Sequence, residues 1–191
     1  GAHGLQSLDV LVDRAQADAA PYDEYVSDPA KPVPYRQRPI LPTYAPDSTW
    51  GEWLVDDQRH VASRTDVLVY ETEPLKEPLR VAGEPYARLY ASTSGSDADW
   101  VVKIIDVWPD EVPESPKLGG YQQMLSADVL RGRFREDFTV ARPIALGKVL
   151  AYRIRLPQVS HTFLPGHRIM VQIQSSWFPL YDRNPQTFVP N

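Results

Sequence analysis

The sequence predicts an all-β fold, a jelly-roll β-sandwich with an extended proline-rich N-terminal arm. Three observations lead there. Several short segments alternate apolar and polar residues with period two, turn-forming clusters separate them, and prolines forbid helix at the front of the chain.

The arm comes first. Between Pro21 and Pro46 prolines recur every few residues, and each removes a backbone donor and biases its predecessor away from helix. An extended surface arm is therefore expected over about residues 13–50. Tyr22, Tyr25, Val33, Tyr35, Ile40 and Leu41 give it side chains to pack, which a disordered linker lacks.

The remainder reads as strands. "DVLVYET" (66–72) is β-branched and aromatic, and a turn-like "EPLKEP" follows it. "PYARLYAST" (85–93) ends at the turn "SGSDAD", and "DWVVKIIDVW" (99–108) runs into the loop "PDEVPESPKLGG". "VLAYRIRLP" sets Tyr152, Ile154 and Leu156 against Arg153 and Arg155. "HRIMVQIQS" sets Ile169, Val171 and Ile173 against Arg168, Gln172 and Gln174. Such alternation marks strands with one face buried and one face wet. Residues 121–136 suit helix by spacing, but their strand-rich surroundings favour strand.

At 191 residues the chain accommodates a single jelly-roll domain over 1–191 with a substantial core. A net charge of −5 argues against nucleic acid as a partner. No apolar run reaches the roughly 18 residues of a membrane span, so no membrane partner is expected. The start lacks a charged region followed by an apolar one. Zero cysteines exclude disulfides and thiolate chemistry within the chain.

A serine nucleophile elbow needs G-x-S-x-G around its strained turn, and that pattern is absent; "STSGSDADW" is a turn. No two histidines share helical spacing. His161 and His167 flank "TFLPG" and can approach each other, yet two imidazoles make an incomplete metal site, and ordinary hydrogen bonds of a loop histidine and a strand-start histidine are expected. Asp97 and Asp99, and Asp56 and Asp57, lack calcium-loop spacing and read as solvated turn carboxylates. No cofactor, no metal and no catalytic residue are assigned.

Two polar-aromatic clusters remain. Residues 50–68 join Trp50 and Trp53 to Asp57, Arg59 and Arg64. The stretch "SSWFPLYDRNPQTF" joins Trp177, Phe178 and Tyr181 to Asp182, Arg183 and Asn184. Arginines in such settings lock loops through carboxylates, while Trp, Tyr and Arg also concentrate at interfaces.

Those same segments resemble a known family. "YDEYVSDPAKPVPY", "WLVDDQRHVASRTDVLVYETEPL", "STSGSDADWVVKIIDVWPDE", "GGYQQMLSADVLRGRFRE" and "HTFLPGHRIMVQIQSSWFPLYDRNPQTF" are similar to the C-terminal domain of α-amino acid ester hydrolases. That group also holds cocaine esterase, glutaryl-cephalosporin acylase homologues and X-prolyl dipeptidyl peptidases. The likeness runs from about Leu8 onward. It implies a galactose-binding-like jelly roll that is non-catalytic, preceded in its parent serine hydrolase by an α/β-hydrolase domain holding the triad.

The implied partner is that catalytic domain, on which this one packs and whose active-site approach it shapes; a homo-oligomer is also open. Localisation is unassigned, a periplasmic or secreted parent being among the options. On this reading Trp177, Phe178 and Tyr181 form an exposed docking patch. Asp182, Arg183 and Asn184 hold its loop, and Asp57, Arg59 and Arg64 add contacts. The alternative is a stand-alone carbohydrate- or ligand-binding module, with Trp50, Trp53 and Trp177 as stacking platforms.

Overall fold

The computed structural model describes residues 22–190 and the backbone of His3–Gly4. The part of the expected arm over 13–21 lies outside the described residues. The strands are β1 (His3–Gly4), β2 (Val67–Glu71), β3 (Leu79–Gly83), β4 (Tyr86–Ala91), β5 (Asp99–Val107), β6 (Gln122–Arg131), β7 (Leu150–Arg155), β8 (Val159–Phe163) and β9 (Arg168–Gln174). One helical turn, α1 (Arg59–Ala62), and short 3-10 segments complete the described elements.

The pairing is nested. β2 pairs with β9, β3 with β8, β4 with β7 and β5 with β6, all antiparallel. A long hairpin rolled on itself gives that order, which is the jelly roll. β9 also pairs with β5, so the main sheet runs β1-β2-β9-β5-β6. The ambiguous stretch at 121–136 is the strand β6, as its neighbours favoured.

The core lies between this sheet and the β4–β7 ribbon. Trp100 and Val102 of β5, Leu130 of β6 and Ile173 of β9 meet Tyr152 and Ile154 of β7, with Ala87 and Leu89 of β4 packed against them. The rings of Trp100 and Tyr152 stand 5.5 Å apart. Each such large side chain contributes roughly 1.5–3 kcal/mol on burial. β7 alternates as expected, with Tyr152 and Ile154 in and Arg153 and Arg155 out.

β9 departs from the expectation. Gln172 and Gln174, read as the wet face, are 0% exposed, and so is Lys103 opposite Gln172 on β5. The outer face of the sheet is not wet because the arm lies across it. A bulge contributes as well: Ile104 pairs with Ser126 but Ile105 with Met124, so Leu125 is an extra residue. The bulge turns Met124 to the arm side, where it packs with Val101, Tyr35 and Trp177.

Two strands went unread. β3 is nearly all exposed, so it offers no alternation to detect. β8 contains His161, which is a strand residue and not a loop residue as expected.

Candidate functional site

The outer face of the main sheet is where the arm, the C-terminal loop and the 50–68 segment converge. Prolines keep the arm extended, and its free backbone groups are satisfied by residues 175–186. Tyr35 N donates to Phe178 O at 3.0 Å and Phe178 N to Val33 O at 3.0 Å, a short parallel pairing around the Pro34–Phe178 bridge. Val33 N donates to Ser176 Oγ at 2.8 Å. Gln186 Nε2 donates to Ser27 O and Arg183 Nη1 to Pro29 O, while the Tyr25 and Ser175 hydroxyls bond at 2.6 Å. Burial pushes the Tyr25 phenol up to about 12, so it stays protonated.

This clamp revises the docking patch. Trp177 is 4% exposed, buried against Tyr35, Val101 and Met124 with Tyr181 stacked on it at 6.1 Å. It is core beneath the arm, neither an exposed contact nor a stacking platform for sugar. Phe178 and Tyr181 are half-buried in the same layer. Asn184 is buried and donates to Asp99 Oδ1 at 2.8 Å. Asp182 and Arg183 do not pair with each other. Asp182 is exposed and offers its carbonyl to Arg131, while Arg183 grips the arm.

The other three predicted residues tie loops down at the far edge of the arm. Arg59 Nε donates to Asp57 Oδ2 at 2.7 Å and Arg59 Nη1 to Gly119 O at 3.0 Å, joining α1 to the loop before β6. Arg64 holds Asp66 through two bonds of 2.7 Å and donates to Lys31 O of the arm. The structure therefore gathers the two clusters around one strap.

Of the carboxylates read as solvated, Asp97 and Asp99 are buried and Asp56 is largely so, while Asp57 keeps 29% of its side chain exposed in its pair with Arg59. Asp97 and Asp99 are buried because the turn folds under the C-terminal loop. Asp97 accepts from Arg133 Nε at 2.7 Å, and burial pushes the Asp99 carboxyl up to about 6. Asp56 pairs with Arg36, a buried arm residue that sequence reasoning passed over. Arg36 Nε donates to Asp56 Oδ2 at 2.6 Å, Arg36 Nη2 donates to Thr49 O at 2.9 Å, and the guanidinium lies over Trp50.

Beyond Arg36 the arm turns into an open groove of about 380 Å³ lined by Arg36, Arg38, Ile40, Leu41, Asp47 and Asp56. The same loop turns Leu41, Tyr44, Leu54 and Val55 to solvent, Tyr44 being 99% and Leu54 62% exposed.

Two further groups carry unusual chemistry. Lys103 sits under Trp177 with Nζ donating to Gln58 Oε1 at 2.8 Å, and burial pushes its ammonium down to about 7. Asp106 is buried between two imidazoles: Oδ2 meets His161 Nε2 and Oδ1 meets His167 Nδ1, each at 2.8 Å. The approach of the two histidines was legible in the spacing; the carboxylate between them was not. Among the described residues neither imidazole is hydrogen-bonded to a serine hydroxyl.

Fold and surface thus define an accessory jelly roll, clamped by its own arm and presenting an apolar loop. The chain belongs to the X-Pro dipeptidyl-peptidase C-terminal non-catalytic domain family, whose model matches residues 12–190. It is similar to cocaine esterase of Rhodococcus sp. (strain MB1 Bresler), 39% identical over 165 residues, covering 86% of this chain and 26% of that protein. The crystal structure of an aminopeptidase from the marine sediment archaeon Thaumarchaeota archaeon is 86% identical with a TM-score of 0.86, over 88% of this chain and 28% of that one. An α-amino acid ester hydrolase labelled with selenomethionine is 56% identical with a TM-score of 0.86, over 92% and 28%. The chain spans about a quarter of the length of these relatives.

Proposed function

We propose that this domain packs against the α/β-hydrolase catalytic domain of the same polypeptide through the 37–55 loop and walls part of the approach to its active site. The observation that carries the reading is the exposed apolar set Leu41, Tyr44, Leu54 and Val55 around a groove, in a chain that spans a quarter of hydrolytic relatives. Burying such a set against a neighbour removes apolar surface from water. The same contact excludes water from the catalytic pocket and strengthens electrostatic stabilisation there.

The substrate class we infer carries an α-amino group beside the scissile acyl bond. The names of the aminopeptidase and of the α-amino acid ester hydrolase share that element, and both are more than half identical to this chain. Chemistry would proceed through an acyl-enzyme on a serine of the catalytic domain.

The test compares three proteins on an α-amino acyl ester. The whole polypeptide carrying this segment turns the ester over, and the purified 191-residue chain does not. Tyr44→Asp with Leu54→Asp in the whole polypeptide lowers kcat/KM about tenfold or more, since misplacing a supporting wall disturbs substrate positioning. Turnover by the 191-residue chain itself would overturn the reading.

A further inference from the structure

The two faces of the main sheet are buried in different ways. The inner face meets the β4–β7 ribbon through apolar side chains. The outer face buries Lys103, Gln172 and Gln174, all 0% exposed, with Gln172 opposite Lys103 and Gln174 opposite Val101 in the β5–β9 register. That polar layer is poorly satisfied. Gln172 Oε1, Gln174 Oε1 and Trp177 Nε1 have no hydrogen-bond partner among the described residues, and the acceptors of Gln172 Nε2 lie at 3.5 and 3.6 Å. Lys103 Nζ has one acceptor among them, Gln58 Oε1. Buried polar groups without partners carry a free-energy cost that contact with water relieves.

The arm that seals this layer is fastened at points. It bonds to the C-terminal loop, to Arg64 and Tyr70, and through Arg36 to Asp56 and Thr49. It joins no ladder of the main sheet beyond the isolated Pro34–Phe178 bridge. Lifting the arm therefore leaves the pairings of β2, β9, β5 and β6 intact. Segments held this way open at lower free energy than the core does. Trp177 packs between Tyr35 of the arm and the Lys103 ammonium, so lifting Tyr35 uncovers Trp177 and lets water reach Lys103.

We propose that the arm over 22–36 is a strap that opens while the sandwich stays folded, and that Lys103 beneath it is the latch: closed over the neutral amine, open when the amine takes up a proton. Nothing packed on Lys103 can neutralise an ammonium. Gln172 on β9, Ala127 on β6, Gln58 before α1 and Trp177 are all uncharged. The ionisable neighbours are His60, whose imidazole is held low by burial and then by Lys103, and Asp56 and Asp57, which are paired with Arg36 and Arg59. The open strap gives Lys103 the ordinary affinity of an amine, 10.5, and the closed strap about 7. Between those values the open population rises about tenfold for each unit that pH falls, and below about 7 it levels off. Arg36 ends the strap and grips Asp56 and Thr49, so opening also loosens the root of the 37–55 loop. The inference stands whether or not the hydrolase reading does.

Thiol labelling tests it, because the chain has no cysteine of its own. Val33→Cys places a probe under the strap and Val102→Cys one in the inner core, each at a site 1% exposed. Iodoacetamide is kept dilute enough that the strap recloses faster than it is alkylated, rates are divided by that of a cysteine peptide at the same pH, and circular dichroism checks each fold. Val33→Cys should label about a hundredfold or more faster than Val102→Cys, as local opening outruns global unfolding. Its relative rate should fall about tenfold per unit from about pH 7.5 to about 9.5. The Tyr25 phenol, pushed up to about 12, stays protonated over that range. Adding Lys103→Met, or Lys103→Gln, to Val33→Cys should flatten the slope. Equal labelling of the two probes, a relative rate indifferent to pH, or a slope that survives both Lys103 substitutions would each overturn the proposal.

Discussion

Lys103 is the residue whose environment departs furthest from its composition. An ammonium buried beneath Trp177 with a carboxamide as its hydrogen-bond acceptor is desolvated, and its titration falls from the ordinary 10.5 to about 7. Between those two values the unfolded chain binds a proton that the folded chain does not. Stability must therefore rise as pH rises from about 7 toward 10.5, and the cost of the charged form is fully present below about 7. Lys103→Met should abolish that slope and raise stability near neutral pH, measured by denaturant unfolding across pH. Asp99 works the other way over a separate window. Its carboxyl is pushed up from 3.8 to about 6, so the folded state binds the extra proton and stability falls as pH climbs between those values. Arg36 is the other telling residue. Arg36→Ala leaves Asp56 without its guanidinium partner and should cost about 3 kcal/mol by chemical denaturation, as removing one member of a largely buried pair does.

Among the elements, the arm decides what the rest of the sheet means. β7 was legible because one of its faces is wet, and Arg153 and Arg155 contrast with Tyr152 and Ile154. β9 looked the same on paper, yet Gln172 and Gln174 are buried, because whether a polar row meets water depends on what crosses it. Periodicity locates a strand and its two faces. It does not say which of them a distant segment covers. The proline spacing showed that an arm exists, and the tyrosines showed that it packs, but its landing place depends on pairings such as Gln186 with Ser27, 159 residues apart. The same gap explains Trp177. As a docking residue it would tolerate truncation, whereas as core beneath the arm Trp177→Ala should cost about 3–5 kcal/mol in thermal or denaturant unfolding. β3 escaped detection for the opposite reason: with both faces largely exposed, it carries no pattern.

For the whole molecule, the nested pairing of β2 with β9, β3 with β8, β4 with β7 and β5 with β6 builds a sandwich whose two sides are covered differently. One side is sealed by the arm and ends in an apolar loop at a groove. The other bears arginine-tyrosine stacks. The absence of a nucleophile elbow from the sequence fits a non-catalytic domain family, whose model matches nearly the whole chain. Aromatic density put Trp177 on an exposed contact surface, but it is core beneath the arm, while Leu41, Tyr44, Leu54 and Val55 are exposed. Aromatic density marks burial and contact equally, and only exposure separates the two. Backbone exchange reads that surface most directly. In hydrogen–deuterium exchange, amides of residues 37–55 should be protected in the whole polypeptide and exchange rapidly in the 191-residue chain. The β5 and β9 amides should be equally slow in both. Equal exchange of residues 37–55 in the two proteins would contradict docking through this loop.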